Sequence, residues 1–95
     1  MRAPLKPSRE EAERVAVEAL AYLTADEDRL WAFLGATGLD PGSIRQAARS
    51  RGFLVAVLDH VAQNESLLID LAAAVKAKPE RIMEARRVLS PEAFD

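Results

Sequence analysis

The residues best suited to acid-base chemistry in this sequence are a histidine and an aspartate that are neighbours in the chain. His60 is the only histidine among the 95 residues, and Asp59 precedes it. Adjacent side chains on a helix project about 100° apart, so Asp59 cannot orient the imidazole of His60 as a triad carboxylate does. The chain has no cysteine to serve as a nucleophile. The pair therefore favours a structural or surface role, and we predict no catalytic residues and no enzyme.

The sequence gives little support for a metal site or a cofactor site. One histidine with scattered carboxylates supplies three or four converging ligands only if several helices cooperate. The acidic residues 26–28 lack the alternating ligands and the central glycine of a calcium loop, and they are typical of a helix N-terminus. The four glycines form neither a phosphate-binding loop nor a dinucleotide fingerprint. We predict no metal ligands and no cofactor-binding residues.

Basic side chains on two helices are candidates for binding a partner. We predict one helix that begins at Pro41 and another that begins at Pro79, the third and sixth helices of the chain. If Ile44, Ala47 and Ala48 face inward, the polar residues of the third helix lie on its outer face, and the sixth helix presents arginines in the same way. The candidates are Arg45, Gln46, Arg49, Arg51, Arg86 and Arg87. Arginine and glutamine on a short helix after a tight turn are what a helix-turn-helix protein presents to the DNA major groove. The net charge of -2 and the preference of arginine for helix C-termini favour a solvated face instead.

Trp31 is a further candidate for partner binding. It lies about 200° around the helix from Phe33, so both rings cannot point into the same core. An exposed tryptophan would be an interface anchor. A tryptophan in the seam between two helical units, opposite the alanines 72–74, would be a core residue. The sequence favours the seam and leaves the anchor as the alternative.

The helices that carry these residues have recognisable ends. Ser8 and Glu11 fit a capping box, which predicts a first helix over Arg9 to Thr24. The second helix begins after residue 26 and ends at Gly38, and Asp40 with proline at 41 begins a short third helix that should stop near residue 52.

The second half of the chain repeats this scheme. Residues 53–61 form a fourth helix, Asn64 caps a fifth, and Pro79 opens a sixth. A shift of 38 residues places the prolines at 41 and 79 and the caps at 26 and 64 in register, together with most apolar positions. We predict an all-α fold of six short helices arranged as two similar three-helix units that share one core.

Domain boundaries follow from this repeat. One domain covers residues 1–95, with a flexible N-terminus at 1–7, units at 8–50 and 51–89, and a tail at 90–95. The two basic stretches, 41–51 and 76–87, each carry a net charge of +3. The predicted core consists of Leu20, Leu23, Leu30, Phe33, Ile44, Phe53, Leu58, Leu68, Leu71 and Ile82.

Several segments resemble a known protein family. The residues concerned are Phe33-Leu34, Gly38-Leu39-Asp40-Pro41, Gly52-Phe53-Leu54 and Val57-Leu58-Asp59. Through these segments the chain resembles small alphaproteobacterial proteins catalogued as domain of unknown function 3572. The resemblance covers roughly Glu11 to Leu89. The resemblance implies a bacterial, all-helical protein and implies no activity.

Composition narrows the cellular setting. The absence of cysteine fits a reducing compartment, and the longest apolar run, residues 53–58, is too short to span a bilayer. We predict a cytoplasmic protein that does not bind membranes. By exclusion, its function is that of a non-enzymatic helical module that binds another protein or a second copy of itself. The alternative is a nucleic-acid-binding protein that uses the third and sixth helices.

Overall fold

A computed structural model describes residues 7–90 of the chain, and within them the fold is all-α, as predicted. The helices are α1 (Arg9–Thr24), α2 (Glu27–Thr37), α3 (Ile44–Ala47), α4 (Arg51–Ala62), α5 (Glu65–Val75) and α6 (Pro79–Leu89). A 3₁₀ turn, Pro41–Ser43, leads directly into α3. The described residues contain no β-strand.

The predicted helix caps are present. Ser8 Oγ accepts a hydrogen bond from the Glu11 backbone N–H at 3.1 Å, and the Glu11 carboxylate accepts one from the Ser8 N–H at 3.0 Å. Asp26 caps α2 and Asn64 caps α5, each by accepting the N–H three residues later. These caps satisfy backbone donors that a helix N-terminus leaves free, and they place the helix starts where the sequence indicated.

The core lies between α1, α4 and α6, which pack against one another, and α1 packs most extensively against α6. The second helix lies against α1 and α4, and the fifth against α4 and α6. Of the ten predicted core residues, seven are buried. Leu30, Ile44 and Leu68 are only partly buried against that core.

The third helix is shorter than predicted. It ends at Ala47, and α4 begins at Arg51 rather than at Phe53. The reason is local: Ser50 has an extended backbone and its Oγ accepts the N–H of Phe53 at 3.3 Å, so it caps α4. Gly52 therefore lies in the first turn of α4 and does not end the third helix.

The two halves of the chain agree in the length and C-terminal cap of their second helix, and they differ in their third. The second and fifth helices each have 11 residues, and the caps that end them, Gly38 and Lys76, are both left-handed, with φ of 74° and 59°. The third elements differ, because α3 has 4 residues and α6 has 11. The two-unit repeat with its boundary at 50/51 stays a prediction.

The predicted flexible N-terminus and C-terminal tail lie almost entirely outside the described residues. The described residues include only Pro7 of the predicted N-terminus, which is buried, and only Ser90 of the predicted tail, which is partly buried.

Candidate partner-binding groove

An open apolar groove runs between α1 and the segment that follows α2. Its volume is about 680 Å³. Four α1 residues form one wall and five residues of the segment 41–48 form the other: Val17, Leu20, Ala21 and Thr24 face Pro41, Gly42, Ile44, Arg45 and Ala48. We call this feature the α1–α3 groove.

The groove exists because α1 carries apolar residues on two sides. Ala12, Ala16 and Leu23 face the core and are fully buried. The spacing of residues 17, 20, 21 and 24 places a second stripe on a neighbouring side of the helix. Across from this stripe stands only the 3₁₀ turn and one turn of α3, which leave Val17 49% exposed. Sequence reasoning missed this stripe, although its helical spacing was the signal that could have found it.

The rim of the groove is positively charged. Arg45 lines the groove, and Arg45, Gln46 and Arg49 border a shallow depression beside it. All three are exposed, as predicted, while Ile44, Ala47 and Ala48 turn inward. Within residues 7–90 neither arginine side chain, of Arg45 or of Arg49, has a hydrogen bond or an ion pair. Their charges are available to a partner.

The arginines of α6 are engaged within the protein. Arg86 forms an ion pair with Asp59 of α4, and Arg87 pairs with Glu84 at 3.2 Å. Arg51 is also separate from the exposed set, since it is partly buried and its Nη2 is buried without a hydrogen-bond partner in the described structure. The structure therefore brings Arg45, Gln46 and Arg49 together at one exposed site. The other predicted arginines, Arg51, Arg86 and Arg87, do not form a second such site.

Trp31 is exposed, and the prediction that it fills the seam between the two units is wrong. Its side chain is 59% exposed. The second helix buries Phe33 and Leu34, and Trp31, about 200° from Phe33, is thereby turned to solvent. A Cβ atom built on Gly35, one turn further along the same face, would meet no atom within 4 Å. The surface around the indole is open.

His60 packs against the aromatic ring of Phe33 rather than against a carboxylate. Its ring lies edge-on to Phe33 at 5.2 Å between centroids, and Phe33 meets Phe53 at 5.9 Å. The carboxylate of the neighbouring Asp59 forms an ion pair with Arg86. Partial burial lowers the pKa of His60 below 6.5, because desolvation disfavours the imidazolium.

This burial makes one pH dependence predictable. The unfolded chain binds a proton at His60 more readily than the folded protein does. The contribution of His60 to the free energy of unfolding is therefore fully present above about pH 6.5, and it decreases as the pH drops towards the folded pKa. We expect the urea midpoint to decrease between about pH 7.5 and 5.5 by more in the wild type than in a His60→Gln variant. Equal decreases in both proteins, measured by circular dichroism, would assign the change to carboxylates instead.

Within residues 7–90, no group of three or more histidine, cysteine or acidic side chains is placed to hold a metal ion. None of the helices in this range has both the length and the apolar character needed to cross a bilayer.

Comparison with known proteins identifies one family. A family model described as "Protein of unknown function (DUF3572)" matches residues 9–92. Neither the curated proteins nor the solved structures contain a match to the chain.

Proposed function

The chain belongs to the DUF3572 family, whose description assigns no function, and we propose that it is a non-enzymatic helical module that binds a protein in the α1–α3 groove. The observation that carries the proposal is the combination of apolar walls with an arginine rim that no residue of the described chain neutralises. Apolar surface gives affinity when it is covered, and free charges at the edge select a partner of opposite charge.

The dimensions of the groove support a helical partner. The α1 wall extends from Val17 to Thr24, which corresponds to two turns or about 10 Å along the helix axis. An amphipathic helix fills such a groove with two or three apolar side chains spaced by three or four residues.

A substitution in the groove tests the proposal. We expect Val17→Glu to abolish recovery of the protein's partners in affinity capture from native lysate, because a carboxylate would be desolvated against apolar walls. The matched control is Ile69→Glu on α5, since Ile69 is 52% exposed and Val17 is 49% exposed. Both variants should keep the wild-type free energy of unfolding within about 0.5 kcal/mol, as exposed substitutions do.

The comparison has a clear negative outcome. Partners that survive nuclease treatment and are lost equally with both variants, or with neither, would show that the groove is not the binding site.

Nucleic-acid binding is the second candidate, favoured by the exposure of Arg45, Gln46 and Arg49 without internal ion pairs. Against it stand the ion pairs of Arg86 and Arg87, which occupy the arginines of the sixth helix. If it is correct, a fluorescent DNA duplex should bind with a steep salt dependence, and replacing Arg45 and Arg49 with glutamine should lower the slope of log K against log salt by about two. Absence of binding at low salt would remove this candidate.

We propose that the chain is a duplicated three-helix unit, supported by the equal lengths of α2 and α5 and their like caps. We propose a bacterial origin, which the resemblance to the DUF3572 family supports. We also propose a cytoplasmic location, which the cysteine-free composition supports.

A further inference from the structure

We propose that the occupant of the α1–α3 groove is a second copy of this chain, which inserts Trp31 and the exposed face of its α2. The inference rests on the proposed function of the groove and names its partner. It accounts for two otherwise unexplained features, an exposed tryptophan and an apolar groove that nothing in the described chain covers.

Trp31 has the properties of an interface anchor. It is the largest side chain type, it is 59% exposed, and small residues surround it on α2, where Ala32, Gly35 and Ala36 are exposed. Small neighbours allow an opposing wall to approach the whole indole ring. Tryptophan is among the residues most enriched in binding hot spots.

Charge complementarity points to the same pairing. Glu27 and Asp28 lie one turn before Trp31 on α2 and are exposed, and neither has an ion pair in the described structure. Arg45 and Arg49 are exposed and unpaired beside the groove. A second copy with Trp31 between the groove walls brings two free carboxylates to two free guanidinium groups, which are the partners arginine binds best.

The two surfaces lie on different sides of α1. Arg29 of α2 stacks on the Tyr22 ring at 4.0 Å, and Tyr22 projects about 150° around α1 from the centre of the groove wall. A copy therefore cannot fill its own groove with its own Trp31. Because the groove and Trp31 face nearly opposite directions, one partner copy cannot contact both at once, so the contact between copies is heterologous, head to tail. Such a contact leaves one free Trp31 and one free groove in every pair.

This geometry allows a test with two complementary variants. Trp31→Ala keeps the groove and removes the only tryptophan of the chain. A double variant, Arg45→Glu with Arg49→Glu, keeps Trp31 and reverses the charge of the groove rim. Both change exposed side chains that have no ion pair, so each should fold as the wild type does, which circular dichroism checks.

The wild type should associate with increasing concentration in sedimentation velocity between about 10 and 500 µM, which covers dissociation constants of weak, micromolar complexes. Each variant alone should remain monomeric, with Trp31→Ala lowering the association constant by about thirtyfold or more. A mixture of the two variants should form a one-to-one pair and nothing longer. The emission of the single tryptophan, carried by the double variant, should shift to the blue as the tryptophan-free variant is added.

The matched control is Ile69→Ala, which removes an exposed apolar side chain elsewhere and should associate as the wild type does. A wild type that stays monomeric throughout, or a mixture that does not pair, overturns the inference. The groove itself is judged separately by the capture experiment with Val17→Glu. If that variant loses a partner while the wild type is monomeric, the occupant is a different protein and the proposed function stands.

Discussion

Replacing Phe33 with alanine is expected to destabilise the protein by about 3–5 kcal/mol, the cost of truncating a buried phenylalanine. Phe33 is fully buried and its ring meets both Phe53 and His60 of α4 in edge-on contacts. Phe33 therefore contributes much of the packing of α2 against α4. Small domains are stable by only about 5–15 kcal/mol, so this substitution removes a large share of the total. Urea unfolding followed by circular dichroism measures it.

The matched control for this prediction is Trp31→Ala on the same helix. It removes a larger aromatic side chain, but from the solvent-exposed side, and we expect a change within about 0.5 kcal/mol. Equal losses for the two variants would mean that α2 is rotated about its axis relative to the arrangement described above.

Leu58→Ala is expected to cost about 2–5 kcal/mol. Leu58 is fully buried on α4, and α4 packs against both α1 and α6, so the cavity would open at the centre of the core. For a domain of this size each kcal/mol lowers the unfolding temperature by roughly 4–8 °C. Differential scanning calorimetry should show the loss.

Leu58→Met controls for the cavity, because it nearly conserves volume and should cost less than about 1.5 kcal/mol. A methionine variant as unstable as the alanine variant would show that side-chain shape, and not lost volume, sets the stability at this position.

Helix boundaries could be predicted where they depend on neighbouring residues. A capping side chain reaches an N–H only three residues away, so Ser8, Asp26 and Asn64 are visible in the sequence with their targets. Ser50 belongs to the same class, and its relation to Phe53 was the available signal for the true start of α4.

The exposure of Trp31 could not be predicted in this way. Its position relative to Phe33 was known, but which of the two faces the core depends on how α2 is rotated against α1 and α4. The pairing of Arg86 with Asp59 has the same origin, since 27 residues separate the two. Tertiary packing decides both, and with them which arginines are left free to bind.

The packing of α1 against α6 affects how the protein can be made. During synthesis α1 is made long before α6, so α1 lacks the helix that it packs against most extensively until α6 has been made. The core between α1, α4 and α6 can close only when α6 has emerged, so residues 7–90 do not fold stepwise from the N-terminus. The contact joins residues far apart in sequence, and such contacts slow folding relative to bundles whose helices pack only on their neighbours in the chain.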